Sequence, residues 1–264
     1  MENPLIIKPL NKSLDGKLFE YMNQDRIRHF WGIYDLQHLK KVRTWVAFSD
    51  ENLSGYLMEI NERIIHIRGT ADCVPQLLRG VDLHEPLFNI EAPHLYGIKA
   101  LYRNLKPTES TSRGKITTYL SMKVNRQEFK PAETIGVREV DTEESEAVGN
   151  LLARPDRAKD LMKGLAYGLF ERGQLVAFAS APEMIEDLAI IRGVYTLPSL
   201  RGKGYATRVC SALVSRLTEQ GKEAFLYVSK ENHTALTVYR KLGFRETGHV
   251  FLSFTAKRKW QKQK

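Results

Sequence analysis

Between positions 201 and 206 the chain reads Arg201-Gly202-Lys203-Gly204-Tyr205-Ala206, two glycines interleaved with two cations just ahead of a helical apolar pattern. Glycine lets backbone N–H groups approach an oxyanion closely. A following helix presents its positive N-terminus, and Arg201 and Lys203 add full charges. The combination predicts a phosphate-binding turn. The same spacing also arises as plain loop geometry, so the flanking elements have to decide.

Upstream, Leu188 to Thr196 reads as a strand that ends at Pro198, a residue unable to donate to a sheet ladder. Downstream, Ala206, Val209, Cys210, Leu213, Val214 and Leu217 recur at helical spacing, and Gly221 offers a stop. A second strand, Ala224 to Val228, follows after a short link. A strand-helix-strand unit of this kind has a right-handed crossover and puts the turn at the carboxyl edge of the sheet. Asn232 then stands where it would cap a helix carrying Ala235, Leu236, Val238 and Tyr239, which Gly243-Phe244 ends.

Taken in order, the turn, the tyrosine-bearing helix and the Gly-Phe stop resemble the GNAT superfamily of acetyl-CoA-dependent N-acyltransferases, over residues 134–256. More narrowly, Gly193-Val194-Tyr195-Thr196-Leu197-Pro198 with Arg201-Gly202-Lys203-Gly204, then Phe225-Leu226-Tyr227-Val228 and Asn232, is similar to the branch that includes glycine N-acyltransferase-like C-terminal domains. The resemblance implies an α/β (α+β) fold whose mixed central sheet is splayed open near its middle. It also implies acetyl-CoA as co-substrate, without a metal. Cofactor contacts are then expected from Val194, Tyr195, Thr196, Arg201, Gly202, Lys203, Gly204, Tyr205, Ala206 and Asn232.

Moving an acyl group from a thioester to an amine needs a polarised carbonyl oxygen, a deprotonated ammonium and a proton for the departing thiolate. Backbone amides at Val194 to Thr196 suit the first task, and the Tyr239 phenol suits the third. The resemblance likewise implies a tyrosine general acid here. As mere structure, Tyr239 would be an aromatic packed on the sheet, and Asn232 only a helix cap. His233 is read as a surface residue. The base departs from the family pattern, in which many members carry a glutamate in the strand before the turn. Leu188-Ala189-Ile190-Ile191-Arg192-Gly193 has no carboxylate. Glu183, Glu186 and Asp187 lie upstream. Glu186 or Asp187 would act through water, with Glu186 the candidate, unless each is a hairpin charge facing solvent. Otherwise the amine enters already neutral, or Arg192 serves a substrate carboxylate.

With 264 residues and 42% hydrophobic content the chain is long enough for two domains with packed cores. No run of about eighteen apolar residues occurs, and the N-terminal residues lack a signal-peptide core, so a cytoplasmic protein without a membrane partner is expected. Cys73 and Cys210 suggest neither a disulfide framework nor a metal site. The formal charge of +9 raises the question of nucleic acid. The charges are dispersed, however, and a basic surface also attracts an anionic cofactor, so a nucleic-acid partner is not expected.

In the N-terminal half the pattern reads strand (5–9), helices (13–22, 24–30), three strands (44–48, 56–60, 64–67), helix (74–78), strand (86–90), helix (95–102), strand (116–122). That order echoes the other half. Either an ancestral unit was duplicated, giving a tandem GNAT with a degenerate first copy, or this is an unrelated α/β domain. Its counterpart of the turn, Arg68-Gly69-Thr70-Ala71-Asp72, lacks a second glycine and carries an acid, so this half should not bind coenzyme A. The expected divisions are an N-terminal domain (1–130), a catalytic domain (134–256) and a solvated basic tail (257–264). Lys106 to Gly114 reads as a loop and Asn125 to Glu133 as the interdomain linker. The expectation overall is an N-acetyltransferase working by direct attack of a small-molecule or peptide amine, with the first half shaping the acceptor side. The alternatives are a peptide or protein N-acetyltransferase and a catalytically weak acetyl-CoA-binding regulatory module.

Overall fold

A computed structural model describes residues 5–108 and 115–259. The chain forms two compact units, Met1–Tyr119 together with His249–Lys264, and Leu120–Gly248. This division differs from the expected one at both ends of the second domain.

The first unit runs β1 (Ile6–Pro9), α1 (Lys12–Asn23), α2 (Phe30–His38), β2 (Val42–Ser49), β3 (Asn52–Ile60), β4 (Ile64–Gly69), α3 (Cys73–Arg79), β5 (Leu87–Glu91), α4 (Leu95–Leu101) and β6 (Tyr102–Pro107). Two strands, β7 (Thr117–Val124) and β13 (Arg245–Arg258), contain the unit boundaries. The second unit continues with β8 (Val137–Glu139), α5 (Ser145–Leu152), α6 (Pro155–Leu161), β9 (Leu165–Glu171), β10 (Gln174–Met184), β11 (Leu188–Thr196), α7 (Tyr205–Glu219), β12 (Glu223–Ser229) and α8 (His233–Lys241).

Strand order shows the two units to be built alike. In the first it is β1-β2-β3-β4-β5-β13, with β6 also on β13; in the second it is β8-β9-β10-β11-β12-β7. Within each, the first three pairings are antiparallel and the fourth, β4 with β5 or β11 with β12, is parallel. A parallel pair requires a crossover, which α3 and α7 supply. Helix α7 buries the stripe Val209, Cys210, Leu213, Val214 and Leu217 against the sheet, the periodicity read from the sequence. The β9–β10 hairpin turns at Arg172 (φ 49°) and Gly173 (φ 81°), a two-residue turn with both residues left-handed.

Three sequence expectations need correction. Residues 249–256 do not belong with the second unit, because Phe251 to Thr255 pair antiparallel with β5 and complete the first unit's sheet. Asn125 to Glu133 is not a linker. Asn125 Oδ1 accepts from the Gln127 and Glu128 amides, Lys130 N donates to the Leu242 carbonyl, and Ala132 N donates to Ser211 Oγ on α7. The basic tail is not simply solvated. Lys257 and Arg258 end β13, and Lys259 Nζ donates to the Lys99 and Ala100 carbonyls; residues 260–264 lie outside the described ones. Of the expected loop, Lys106 and Pro107 belong to β6, and 109–114 lie outside the described residues. Among the described residues no helix is long and apolar enough to cross a membrane, and no cluster of metal-ligating side chains occurs.

Candidate active site

Strands β11 and β12 pair only over Leu188 to Ile190 and Glu223 to Phe225. Beyond Ile190 and Phe225 they part, leaving the backbone edges of both without a strand partner on that side. The other edge of β11 explains the parting. Between Phe178↔Tyr195 and Ser180↔Arg192, β10 advances two residues while β11 advances three, so β11 carries a bulge at Gly193 and Val194. Gly193 has φ +66°, and a Cβ there would stand 2.9 Å from Leu161 Cδ1. A bulge bends its strand and increases the local twist, which turns the end of β11 away from β12.

Past the opening lies the glycine turn. Arg201 to Gly204 are exposed, Gly202 and Gly204 have φ of +83° and +79°, and Gly204 is the N-cap of α7. No side chain caps this helix, so its first amides are left to other partners. Thr196, at the end of β11, has a buried Oγ1 with no hydrogen-bond partner, an unsatisfied group at the place where a cofactor amide or phosphate would pass. Arg201 donates from Nε to the Thr196 carbonyl at 3.3 Å and lies over the Tyr195 ring. The residues present therefore suit a pantetheine arm in the opening and a pyrophosphate on the turn.

The expected contacts separate into backbone and side-chain contributors. Val194 and Tyr195 are half-buried, their side chains packed into different core clusters on the two faces of the sheet. What they offer a ligand is backbone. Tyr205 is buried, and its hydroxyl donates to the Glu171 carboxylate. What it and Ala206 place at the turn are backbone amides of the first turn of α7. Asn232 caps α8, accepting at Oδ1 from the Ala235 amide at 3.1 Å. Because β11 and β12 run parallel, the carboxyl ends of both, and hence Thr196, the glycine turn and Asn232, fall at one edge.

Tyr239 sits on the inner face of α8 in the core cluster of α7 and β12, 5.6 Å from Phe244 between ring centroids. Burial, with the nearby Cys210, pushes its phenol well above its ordinary pKa, so it stays protonated and able to donate. Glu186 is not brought to this place. It lies exposed in the hairpin turn before β11, where its carbonyl accepts from Lys222 Nζ, about 20 Å from the Gly193 bulge at strand rise. Asp187 shares that turn.

Sequence reasoning passed over Glu183 as a site residue. This carboxylate is on β10, opposite Ile190, and its Oε1 accepts from Arg192 Nη1 at 2.6 Å. Opposite charges nine residues apart across a hairpin were the available signal; the register shift on β10 between Ser180, opposite Arg192, and Glu183 was not legible.

At the corresponding place in the first unit, β4 and β5 also stop pairing, after Ile67 and Ile90, but the gap is filled. Arg68 is 1% exposed. Its guanidinium donates to the Ile67 and Asn89 carbonyls, to Asn89 Oδ1 and to the Arg28 carbonyl. His94 Nε2 donates to the Gly69 carbonyl, and Arg28 binds Glu91 through two hydrogen bonds. Only Thr70, Ala71 and Asp72 separate β4 from α3, too little chain for a glycine turn.

Residues 166–252 match the family model described as FR47-like protein. A curated relative, [ribosomal protein bS18]-alanine N-acetyltransferase of Haemophilus influenzae, is 27% identical over 78 residues, which are 30% of this chain and 53% of that one. The chain thus spans about half the length of the curated relative it matches. Among solved structures, a GCN5-related N-acetyltransferase from Sphaerobacter thermophilus is similar with a TM-score of 0.65 at 14% identity, covering 99% of both chains. A tandem GNAT protein from the clavulanic acid biosynthesis pathway is similar with a TM-score of 0.62 at 14% identity, covering 98% of this chain and 100% of that one. At such identities the likeness is one of fold.

Proposed function

We propose that this chain is a GNAT-superfamily acetyltransferase whose second unit transfers an acetyl group from acetyl-CoA to an amine. The observation that carries the reading is the parting of β11 and β12 beside the Gly193 bulge, with the exposed, uncapped glycine turn at the same edge. Amides of the bulged segment, Val194 to Thr196, hydrogen-bond along one side of the opening and orient the acyl carbonyl. Amides of the glycine turn and of the start of α7 hold phosphate oxygens, and Arg201 and Lys203 add charge. Buried and neutral, the Tyr239 phenol gives its proton to the thiolate as the carbon–sulfur bond breaks.

For the acceptor, the Haemophilus relative is named for an alanine of ribosomal protein bS18, which favours a protein or peptide amine, and a small-molecule amine suits the same chemistry. The test is thiol release from acetyl-CoA in the presence of alkylamines and of peptides with free N-termini. Release that depends on the amine, with the acetylated product found by mass, supports the reading. Tight acetyl-CoA binding with no transfer to any amine would instead favour a regulatory module.

A further inference from the structure

We infer that Glu183, on β10, is the general base for the acceptor amine, supplying from the neighbouring strand the carboxylate that β11 lacks. The inference rests on the acetyltransferase reading above and concerns its acceptor side.

Glu183 lies opposite Ile190, the last residue of β11 paired with β12. It therefore lies level with the start of the opening, on the strand that flanks β11 on its other edge, about 10 Å along the strands from the Gly193 bulge. Arg192, one residue before that bulge, donates to Oε1 at 2.6 Å and so ties the carboxylate to β11.

The Glu183 side chain is 15% exposed, and its Oε2 is buried without a hydrogen-bond partner. A buried carboxylate oxygen left unsatisfied is costly and uncommon in folded proteins. The ionisable groups facing it are Arg192 on β11, Asp160 on α6 and Lys163 just after α6. Burial raises the carboxyl pKa, and Arg192 offsets this only in part. A carboxylate made more basic by desolvation, with one oxygen unengaged, is what deprotonating an ammonium at neutral pH requires.

In the reaction, Glu183 Oε2 takes a proton from the ammonium nitrogen, freeing the lone pair that attacks the thioester carbonyl carbon. The carbon–nitrogen bond forms and the carbon–sulfur bond breaks. Tyr239 protonates the thiolate and recovers a proton from the new amide nitrogen, while Glu183 releases its own to solvent.

The test compares the wild type with Glu183→Gln, which can still accept from Arg192, and with Glu183→Asp as partial rescue. Two probe acceptors are used: an alkylamine, protonated at pH 7, and an arylamine, already neutral there. Calorimetric affinity for acetyl-CoA, unchanged by the substitution, separates failure of this inference from failure of the cofactor reading. With the alkylamine, Glu183→Gln is expected to lower kcat/KM about 100-fold and to remove the acid limb of its pH profile. With the arylamine the rate stays within about threefold, because no base is needed. Equal losses on both amines, an acid limb that survives in Glu183→Gln, or a wild type that binds acetyl-CoA and acetylates neither probe would each overturn the inference.

Discussion

The same order of strands and helices ends, in the second unit, at an open gap between β11 and β12, and in the first at a gap closed by Arg68. In both, the parallel pairing stops partway along the strands. The chain beyond that point differs between the two. After β11 it has the length and the two left-handed glycines needed to wrap an anion ahead of α7. After β4 it has three residues, one of them an acid, and a guanidinium donating to Asn89, on β5, from the strand beside it. On the proposed reading, the scaffold alone makes no cofactor site. The second unit differs by a bulge beside the parted strands, a glycine turn and the lack of a filling guanidinium.

The largest effect expected along this comparison is that of Arg68→Ala. It leaves the Asn89, Ile67 and Arg28 carbonyls without their donor inside a closed core. The loss is expected to be about 3–5 kcal/mol in denaturant unfolding. A loss below about 1 kcal/mol would mean that the guanidinium is not what closes the first gap. Next is Gly204→Val. The φ of +79° is strained for a β-branched residue, and the new side chain crowds the amides offered to phosphate. Acetyl-CoA affinity should fall about 100-fold in calorimetry while the fold persists.

Tyr239→Phe should lower kcat about 100-fold and leave acetyl-CoA affinity within about twofold, as read by steady-state kinetics and calorimetry. A drop in affinity without a drop in kcat would make Tyr239 a packing residue. Smaller still is a pH effect confined to the first unit. Burial, with Arg68 and Arg28, depresses the His29 pKa to about 3. The unfolded histidine, near 6.5, then binds protons that the folded one does not. Stability is full above about pH 6.5 and is lost as the pH falls below it, by about 1.4 kcal/mol near pH 5.5 for this group. His29→Gln should remove that share of the slope. At the bottom, Glu186→Gln is expected to change turnover by less than about twofold, because its hairpin turn is remote from the opening.

Local signals carried most of the second unit. The strand Leu188–Thr196 has the extent read from the sequence, α7 begins within one residue of Ala206, and Asn232 caps α8 as its type suggested. The apolar pattern puts a helix at 24–30, whereas Phe30–His38 forms α2; His29 at its start offers no side-chain cap to mark it. The features that stayed hidden depend on distant pairing. Nothing near Phe251 says that it pairs with Glu91, and nothing near Glu183 says that β10 shifts register between Ser180, opposite Arg192, and Glu183. Arg68, a lone cation in an apolar strand, gave no hint that β5 would supply its acceptors.

One measurement bears on the comparison most directly: the stoichiometry of acetyl-CoA binding to the whole chain by calorimetric titration. An open second unit and a closed first one predict one molecule per chain, at a site removed by Gly204→Val. Two per chain would contradict the closed state of the first unit, and none would contradict the open site of the second.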